Sequence, residues 1–227
     1  MSFDASSMLS FDLETTSVDP REARIVTSAL ITVDGATTDK VGMLADPGVE
    51  IPQSAIDIHG ITNEKARADG RPHDDVLDET VRRIKDGWVA GRTLVVYNAA
   101  YDLSVLLALT NGSFTVTGPV FDPYVVDNNK DPYRKTKGKG GRTLVAVAEH
   151  YGVPFDGAHE ATADAMAAAR VAWKMANKYY PDIQQLSDDD LMEYQAVAYY
   201  DMQMNRRKFF ESKGRSSFVN TSWPMYS

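Results

Sequence analysis

The hydrophobic pattern of this chain changes period partway along. Met8–Phe11 is a short apolar run ending at Asp12 and reads as a buried strand. Arg24–Val33 is rich in β-branched residues, and the Asp34-Gly35 pair behind it is a hairpin turn signal. Thr38–Leu44 is the predicted return strand, which makes the opening a three-stranded antiparallel meander. Pro47–Pro52 reads as a loop, followed by helices at Glu64–Ala68 and Val76–Lys85. Thr93–Tyr97 is a continuous apolar run of the kind found in central strands. Asn98 is placed to cap a helix over Ala99–Leu109. Val120–Phe121 gives a further short strand feeding the Tyr124–Val126 region. Helices follow at Thr143–His150 and at the alanine-rich Ala161–Tyr179, and Ser187 opens a last helix running to about Lys213. The expected fold is α/β: a mixed five-stranded sheet, antiparallel meander first and parallel strands after, flanked by helices and ending in a helical tail.

Composition adds exclusions. The 227 residues are 43% hydrophobic and contain no cysteine, so a substantial core is available but no disulfide or thiolate zinc site. No apolar run reaches the roughly 20 residues of a membrane span. The opening MSFDASSMLSFDLETT lacks a basic stretch followed by an apolar one, so no secretion signal is expected, and cytoplasmic residence is the expectation. The net charge of −8 weighs against nucleic acid as a partner. Metal ions in an acidic site would offset that charge where a phosphate sits. Basic residues also cluster: Lys130 to Arg142 holds six Lys/Arg against one Asp. That run reads either as a solvated loop or as an arm for a nucleic-acid backbone. Within it, Gly138 to Thr143 lacks the spacing of an ATP-binding phosphate loop.

Three short motifs carry candidate chemistry. In Phe11-Asp12-Leu13-Glu14-Thr15-Thr16, the period of a strand puts Asp12 and Glu14 on one face at the end of a buried strand. Two carboxylates there repel unless a cation compensates, and oxygen donors suit Mg2+ or Mn2+. In Tyr97-Asn98-Ala99-Ala100-Tyr101-Asp102, Asp102 falls in a first helical turn, where the helix dipole favours its charge. In His159-Glu160-Ala161-Thr162-Ala163-Asp164, a fully helical run would set His159 and Asp164 about 140° apart. His159 therefore belongs on the lead-in loop, with Asp164 in the first turns. Each motif alone has a bland reading: a strand end, a first-turn acid, a surface histidine.

Together, in this order, the motifs resemble the DEDDh family of 3′–5′ exonucleases, whose members include the epsilon proofreading subunit of bacterial DNA polymerase III and stand-alone epsilon-like exonucleases. The resemblance covers roughly Met8 to Lys178. The segment Ala55 to Thr62, with its His59-Gly60-Ile61-Thr62 element, and the block from Thr143-Leu144 to Tyr151-Gly152-Val153 add to it. Tyr97, where many relatives carry His, and Tyr101, often Phe, depart from the pattern.

The resemblance implies a ribonuclease H-like exonuclease domain over 1–180, with residues 181–227 as a helix and tail packing on it. It implies two divalent ions, Mg2+ or Mn2+, held by Asp12, Glu14, Asp102 and Asp164, with His159 taking a proton from the attacking water. The main chain around Leu13, Thr15 and Thr16 would grip the terminal nucleotide. His59, Gly60 and Ile61 would line its pocket, and Asn98 and Tyr101 would stand nearby. The implied partner is a single-stranded 3′ end, DNA first, with a DNA polymerase as a second partner. Two alternatives stay open: an RNA-trimming exonuclease, and a non-catalytic polymerase accessory module, against which the intact five-residue set argues. His73 and His150 read as ordinary surface or helix-end histidines. In the last helix Leu191, Tyr194, Ala198, Met202, Asn205 and Phe209 form one face. Phe218, Trp223 and Tyr226 suggest that the terminus docks back.

Overall fold

The structure, a computed structural model, describes residues 2–134, 141–155, 157–216 and 219–226. Six strands form one mixed sheet in the order β4-β3-β2-β1-β5-β6. The meander consists of β1 (Ser7–Thr15), β2 (Ile25–Asp34) and β3 (Thr37–Asp46), paired antiparallel. Strands β5 (Thr93–Val95) and β6 (Val120–Phe121) extend it in parallel beyond β1. The sixth strand, β4 (Arg71–Pro72), is two residues long and pairs parallel at the β3 edge. Five strands are legible from the sequence. An exposed Arg-Pro pair carries no apolar signal, and proline is tolerated at an edge.

Eight α-helices accompany the sheet among the described residues: α1 (Gln53–His59), α2 (Asn63–Asp69), α3 (His73–Val89), α4 (Ala99–Leu109), α5 (Pro123–Lys130), α6 (Leu144–His150), α7 (Ala161–Lys174) and α8 (Asp188–Ser212). After α7 the backbone continues as a π turn over Met175–Tyr179 and a 3-10 turn over Pro181–Gln185. No helix among the described residues is long and apolar enough to cross a membrane.

The alternation of β1 sorts the core. Leu9, Phe11 and Leu13 point to one side and pack with Val76, Ile84 and Trp88 of α3 and Leu103 and Leu106 of α4. Met8 points to the other side, among Val147 and Ala148 of α6 and Ala168, Ala169 and Ala172 of α7. Ser10 shares that side. Its buried hydroxyl donates to the Ala165 carbonyl of α7 at 2.8 Å, with the Val95 carbonyl of β5 as the alternative acceptor at 3.2 Å. The alanines of α7 allow this approach. In its first turn α7 meets β3 at Gly42, where a Cβ would stand 3.0 Å from the Thr162 hydroxyl.

The final helix buries Leu191, Gln195, Ala198, Tyr199 and Gln203. Asn205 and Phe209 are exposed, Phe209 at 58%. The expected face is therefore corrected: Leu191 and Ala198 are buried and Tyr194 and Met202 half-buried, but Gln195 and Gln203, outside that face, are buried in place of Asn205 and Phe209. Gln195 is worth burying because its amide donates to the Val120 carbonyl at 2.8 Å and accepts the Asp122 N–H at 2.7 Å. Of the aromatic residues expected to dock the terminus, Trp223 and Tyr226 are half-buried and pack beside Ala100 and Tyr199. The Tyr226 N–H donates to the Ser104 hydroxyl of α4 at 2.7 Å. Phe218 lies outside the described residues.

Candidate active site

Strand β1 is central, so its last residues lie over the middle of the sheet. Asp12 and Glu14 leave it on the side that faces α7, opposite Ala29 and Thr27 of β2. Asp102 is buried in the first turn of α4, and its Oδ1 accepts the Leu13 N–H at 3.2 Å. Asp164 sits in the first turn of α7, one residue before the carbonyl that Ser10 holds. His159 lies in the loop before α7 with a left-handed backbone, φ 70, and its N–H donates to Asp164 Oδ1 at 3.2 Å. A non-glycine residue in that conformation is uncommon, and such residues concentrate at functional sites.

These four carboxylates feel one another. Burial holds Asp12 well above the usual carboxylate range, and Asp102, Asp164 and Glu14 push it further. Glu14 is pushed up to about 8, by burial and then by Asp164. Burial also raises Asp102, against the pull of the Leu13 N–H, and Glu14 adds to the rise. Asp164 is raised by burial while the His159 N–H opposes it. Among the described residues no lysine or arginine pairs with any of the four. Like charges gathered without a protein cation call for one from outside, and an all-oxygen set suits a hard divalent ion. One ligand atom each from Glu14, His159 and Asp164 lie within 4.8 Å of one another.

Two openings meet at this cluster. One, of about 300 Å3, is lined by Glu14, Thr27, His59, Ile61, His159 and Thr162. The other, of about 520 Å3, is lined by Glu14, Thr15, Val18, Ile58, His59 and Tyr101. Glu14 and His59 border both. His59 ends α1, and Gly60 turns the chain there at φ 74. The His59 Nδ1 accepts the Ile61 N–H at 3.1 Å, which puts the ring proton on Nε2. Burial lowers the pKa of this histidine, favouring the neutral ring. Three buried side-chain polar atoms lack a protein partner among the described residues: Thr27 Oγ1, His59 Nε2 and Arg92 Nε. The first two belong to residues lining the Glu14 cleft. Buried polar groups are nearly always paired, so two unpartnered ones beside four carboxylates mark a place for a ligand.

The other sequence candidates distribute as follows. Thr15 lines the larger opening, with its hydroxyl 2.5 Å from the Tyr101 hydroxyl, which in turn donates to the Ser17 carbonyl. Burial pushes Tyr101 up to about 12. Leu13 and Thr16 also line the opening, but their main-chain N–H groups are engaged within the protein, Leu13 with Asp102 and Thr16 with the Arg24 carbonyl at 3.0 Å. Those two groups are not free to grip a nucleotide. Ile61 borders the smaller opening and packs against the Val26, Ile51 and Ala66 cluster. Neither Ile58, 53% exposed, nor Val18, 92% exposed, is singled out by the sequence, yet both flank the larger opening.

Asn98 calls for a correction. It precedes α4 with φ 64 and makes no side-chain cap. The cap comes instead from Asp122, whose carboxylate accepts the N–H groups of Asn98 and Ala99 at 2.9 Å each and of Tyr124 at 3.0 Å. Asp122 is fully buried, which raises it to about 6 despite those donors. Its Oδ2 also lies 3.4 Å from the Trp223 indole nitrogen. His73 does stand at a helix end, as the first residue of α3. It is buried, and its Nε2 accepts the Ile25 N–H at 3.2 Å. His150 does end a helix, exposed beside Tyr151.

Half of the basic run is also spent internally. Arg134 and Arg142 both pair with Asp127, whose side chain is 0% exposed. Lys130 pairs with Asp182 at 2.6 Å. The remaining lysines, 135, 137 and 139, lie outside the described residues. Tyr97, the departure from the pattern of the motif, donates to the Arg142 carbonyl at 2.5 Å and meets Tyr124 edge-on at 5.7 Å.

A twisted mixed sheet that gathers four acids and a histidine at the end of its central strand defines the class: a nuclease-type α/β domain. Within it, the RNase_T exonuclease model matches residues 9–172, and the chain belongs to that family. Exonuclease I superposes with a TM-score of 0.68 at 19% identity, over 86% of this chain and 46% of that one. Exonuclease I from E. coli in complex with a dT13 oligonucleotide gives 0.64 at 20% identity, over 78% and 42%. Exonuclease X in complex with 5′-overhanging duplex DNA gives 0.58 at 17% identity, over 83% and 99%. The chain thus spans less than half of the exonuclease I chains, and at these identities the likeness is one of fold. No curated protein sequence matches the chain.

Proposed function

We propose that this exonuclease is a metal-dependent 3′–5′ enzyme that hydrolyses the terminal phosphodiester of single-stranded DNA and releases nucleoside 5′-monophosphates. The observation that carries the reading is the mutual repulsion of Asp12, Glu14, Asp102 and Asp164 around a cleft with no protein cation. These four would hold divalent ions, Mg2+ or Mn2+. Bound ions would supply the charge that stabilises the attacking and leaving oxygens. Asp102 would be fixed for this by the Leu13 N–H, and Asp164 by the His159 N–H. His159, exposed at the rim, would take the proton of the attacking water. Its reach to Glu14 and Asp164 supports that position. The neutral His59 would offer its free Nε2–H to the terminal nucleotide, and Thr27 its hydroxyl. Exposed Val18 and Ile58 would border the terminal base. The nucleic acids held by exonuclease I and exonuclease X favour DNA as the substrate.

The test uses single-stranded DNA and RNA oligonucleotides labelled at the 5′ end. A ladder shortening from the 3′ end of DNA with Mg2+ or Mn2+, abolished by chelator and by Asp12→Asn, is expected. A ladder on RNA alone selects the RNA-trimming alternative. No shortening of either strand with any divalent ion overturns the reading.

A further inference from the structure

A second, larger groove of about 730 Å3 lies next to the site and is unused by the chemistry above. One wall is α4 and the turn that follows it, through Ser104, Leu107 and Asn111. The other is α8, through Tyr199, Gln203 and Arg206. Val18 lines both this groove and the opening that contains Glu14 and Tyr101, so the two adjoin at that residue. The volume falls in the range of about 300–1,000 Å3 typical of ligand clefts.

The α8 wall has a direction. Tyr199, Gln203, Arg206, Phe210 and Lys213 follow one another in steps of four, three, four and three residues, which makes them one stripe on the helix. The first three line the groove, and Phe210 and Lys213 carry the stripe beyond it by about 10 Å along the axis. Charge rises in the same direction. Between Gln203 and Arg215 stand Arg206, Arg207, Lys208, Lys213 and Arg215 against Glu211 alone, in a chain whose net charge is −8. All five cations are exposed. Arg207 is engaged with Glu211 at 2.8 Å. Arg206 lies over the Phe210 ring at 5.8 Å and Lys213 over the Phe209 ring at 5.9 Å. Cations interleaved with aromatic faces suit a strand of phosphates and bases.

We infer that this groove and the Arg206–Lys213 stripe carry the single strand upstream of the 3′ end, so that α8 holds the body of the polynucleotide while the carboxylates hold its terminus. The inference deepens the proposed function and rests on it. Two observations favour a nucleic acid as occupant: the groove adjoins the carboxylate opening at Val18, and it carries a local excess of positive charge opposite to the molecule's own sign.

The test compares Arg206→Glu and Lys213→Glu with the wild-type full chain on a DNA strand of roughly 20 nucleotides and on a trinucleotide, at several salt concentrations. The expected result is a rise in KM of about ten-fold on the long strand, no change on the trinucleotide, and a shallower salt dependence, by about 0.7 to 1 in log–log slope per lost phosphate contact. Arg206→Lys should restore most of the loss, and an unchanged melting temperature shows that the variants fold. Lys213, fully outside the groove, tests the path if Arg206→Glu does not fold. Equal effects on both substrates, or none on either, overturn the inference. Binding of the long strand, read by fluorescence anisotropy with Ca2+ present, separates the two readings. If the wild type binds the strand with Ca2+ but does not shorten it with Mg2+ or Mn2+, and both variants lose that binding, the exonuclease chemistry fails and the path stands. If the wild type neither binds nor shortens it, both fall.

Discussion

At the residue scale, His159 is the decisive position, because its ring can act in two ways. It can take the proton from the attacking water, as proposed, or it can join Glu14 and Asp164 as an ion ligand, since all three lie within 4.8 Å. The roles separate experimentally. His159→Ala should lower kcat by about 100-fold or more, the usual scale of general base catalysis, while leaving the Mn2+-induced rise in melting temperature near that of the wild type. Loss of the Mn2+ effect together with turnover would make His159 a ligand. Near-normal turnover would remove it from the mechanism. His59 contrasts with it, because the Ile61 N–H fixes its tautomer and burial keeps it neutral, so it suits hydrogen bonding better than proton transfer.

At the scale of elements, the buried ion pair of Asp127 with Arg134 and Arg142 ties α5 to the segment before α6. The Tyr151 hydroxyl completes it by donating to Asp127 at 2.8 Å. Asp127→Ala would leave two nearly buried guanidinium groups without a partner. Stability should fall by about 3–5 kcal/mol, read from urea unfolding. A loss under about 1 kcal/mol would mean that solvent reaches those arginines freely. This network was not legible in the sequence, where the same arginines look like a solvated arm. Most of the elements were legible. The meander, α4 and β6 follow from apolar runs and the turn at Asp34-Gly35, and three motifs bring out all five candidate catalytic residues. What escaped depends on distance or on burial without hydrophobicity. Helix α1 buries no residue fully and so leaves no apolar stripe. The cap on α4 comes from Asp122, 24 residues from Asn98. Thr27 reaches the cleft only because β2 pairs with β1 in the register that sets it opposite Glu14.

For the whole molecule, an acidic site inside an acidic chain makes stability depend on pH and metal together. Glu14 rises from 4.5 to about 8 on folding, and Asp12, Asp102 and Asp164 shift in the same direction. The folded state therefore holds protons that the unfolded chain releases. Their stabilising effect is complete below about pH 4.5 and is lost as pH rises toward 8. In chelator, the melting temperature should fall across that window. Mn2+ should oppose the fall and raise the melting temperature most at the alkaline end, where the carboxylates are ionised. A metal effect that is equal at both ends would contradict the shared site.

The two carboxylates of β1 stand on a strand that is hydrogen-bonded along both edges, to β2 on one side and β5 on the other. A slip of that strand by a single residue would turn Asp12 and Glu14 into the oily layer beneath α3 and α4 and present Leu13 to the cleft instead. Misthreaded molecules would thus be inert as well as unstable. Specific activity per milligram becomes a direct gauge of how much of a preparation has assembled its central strand correctly.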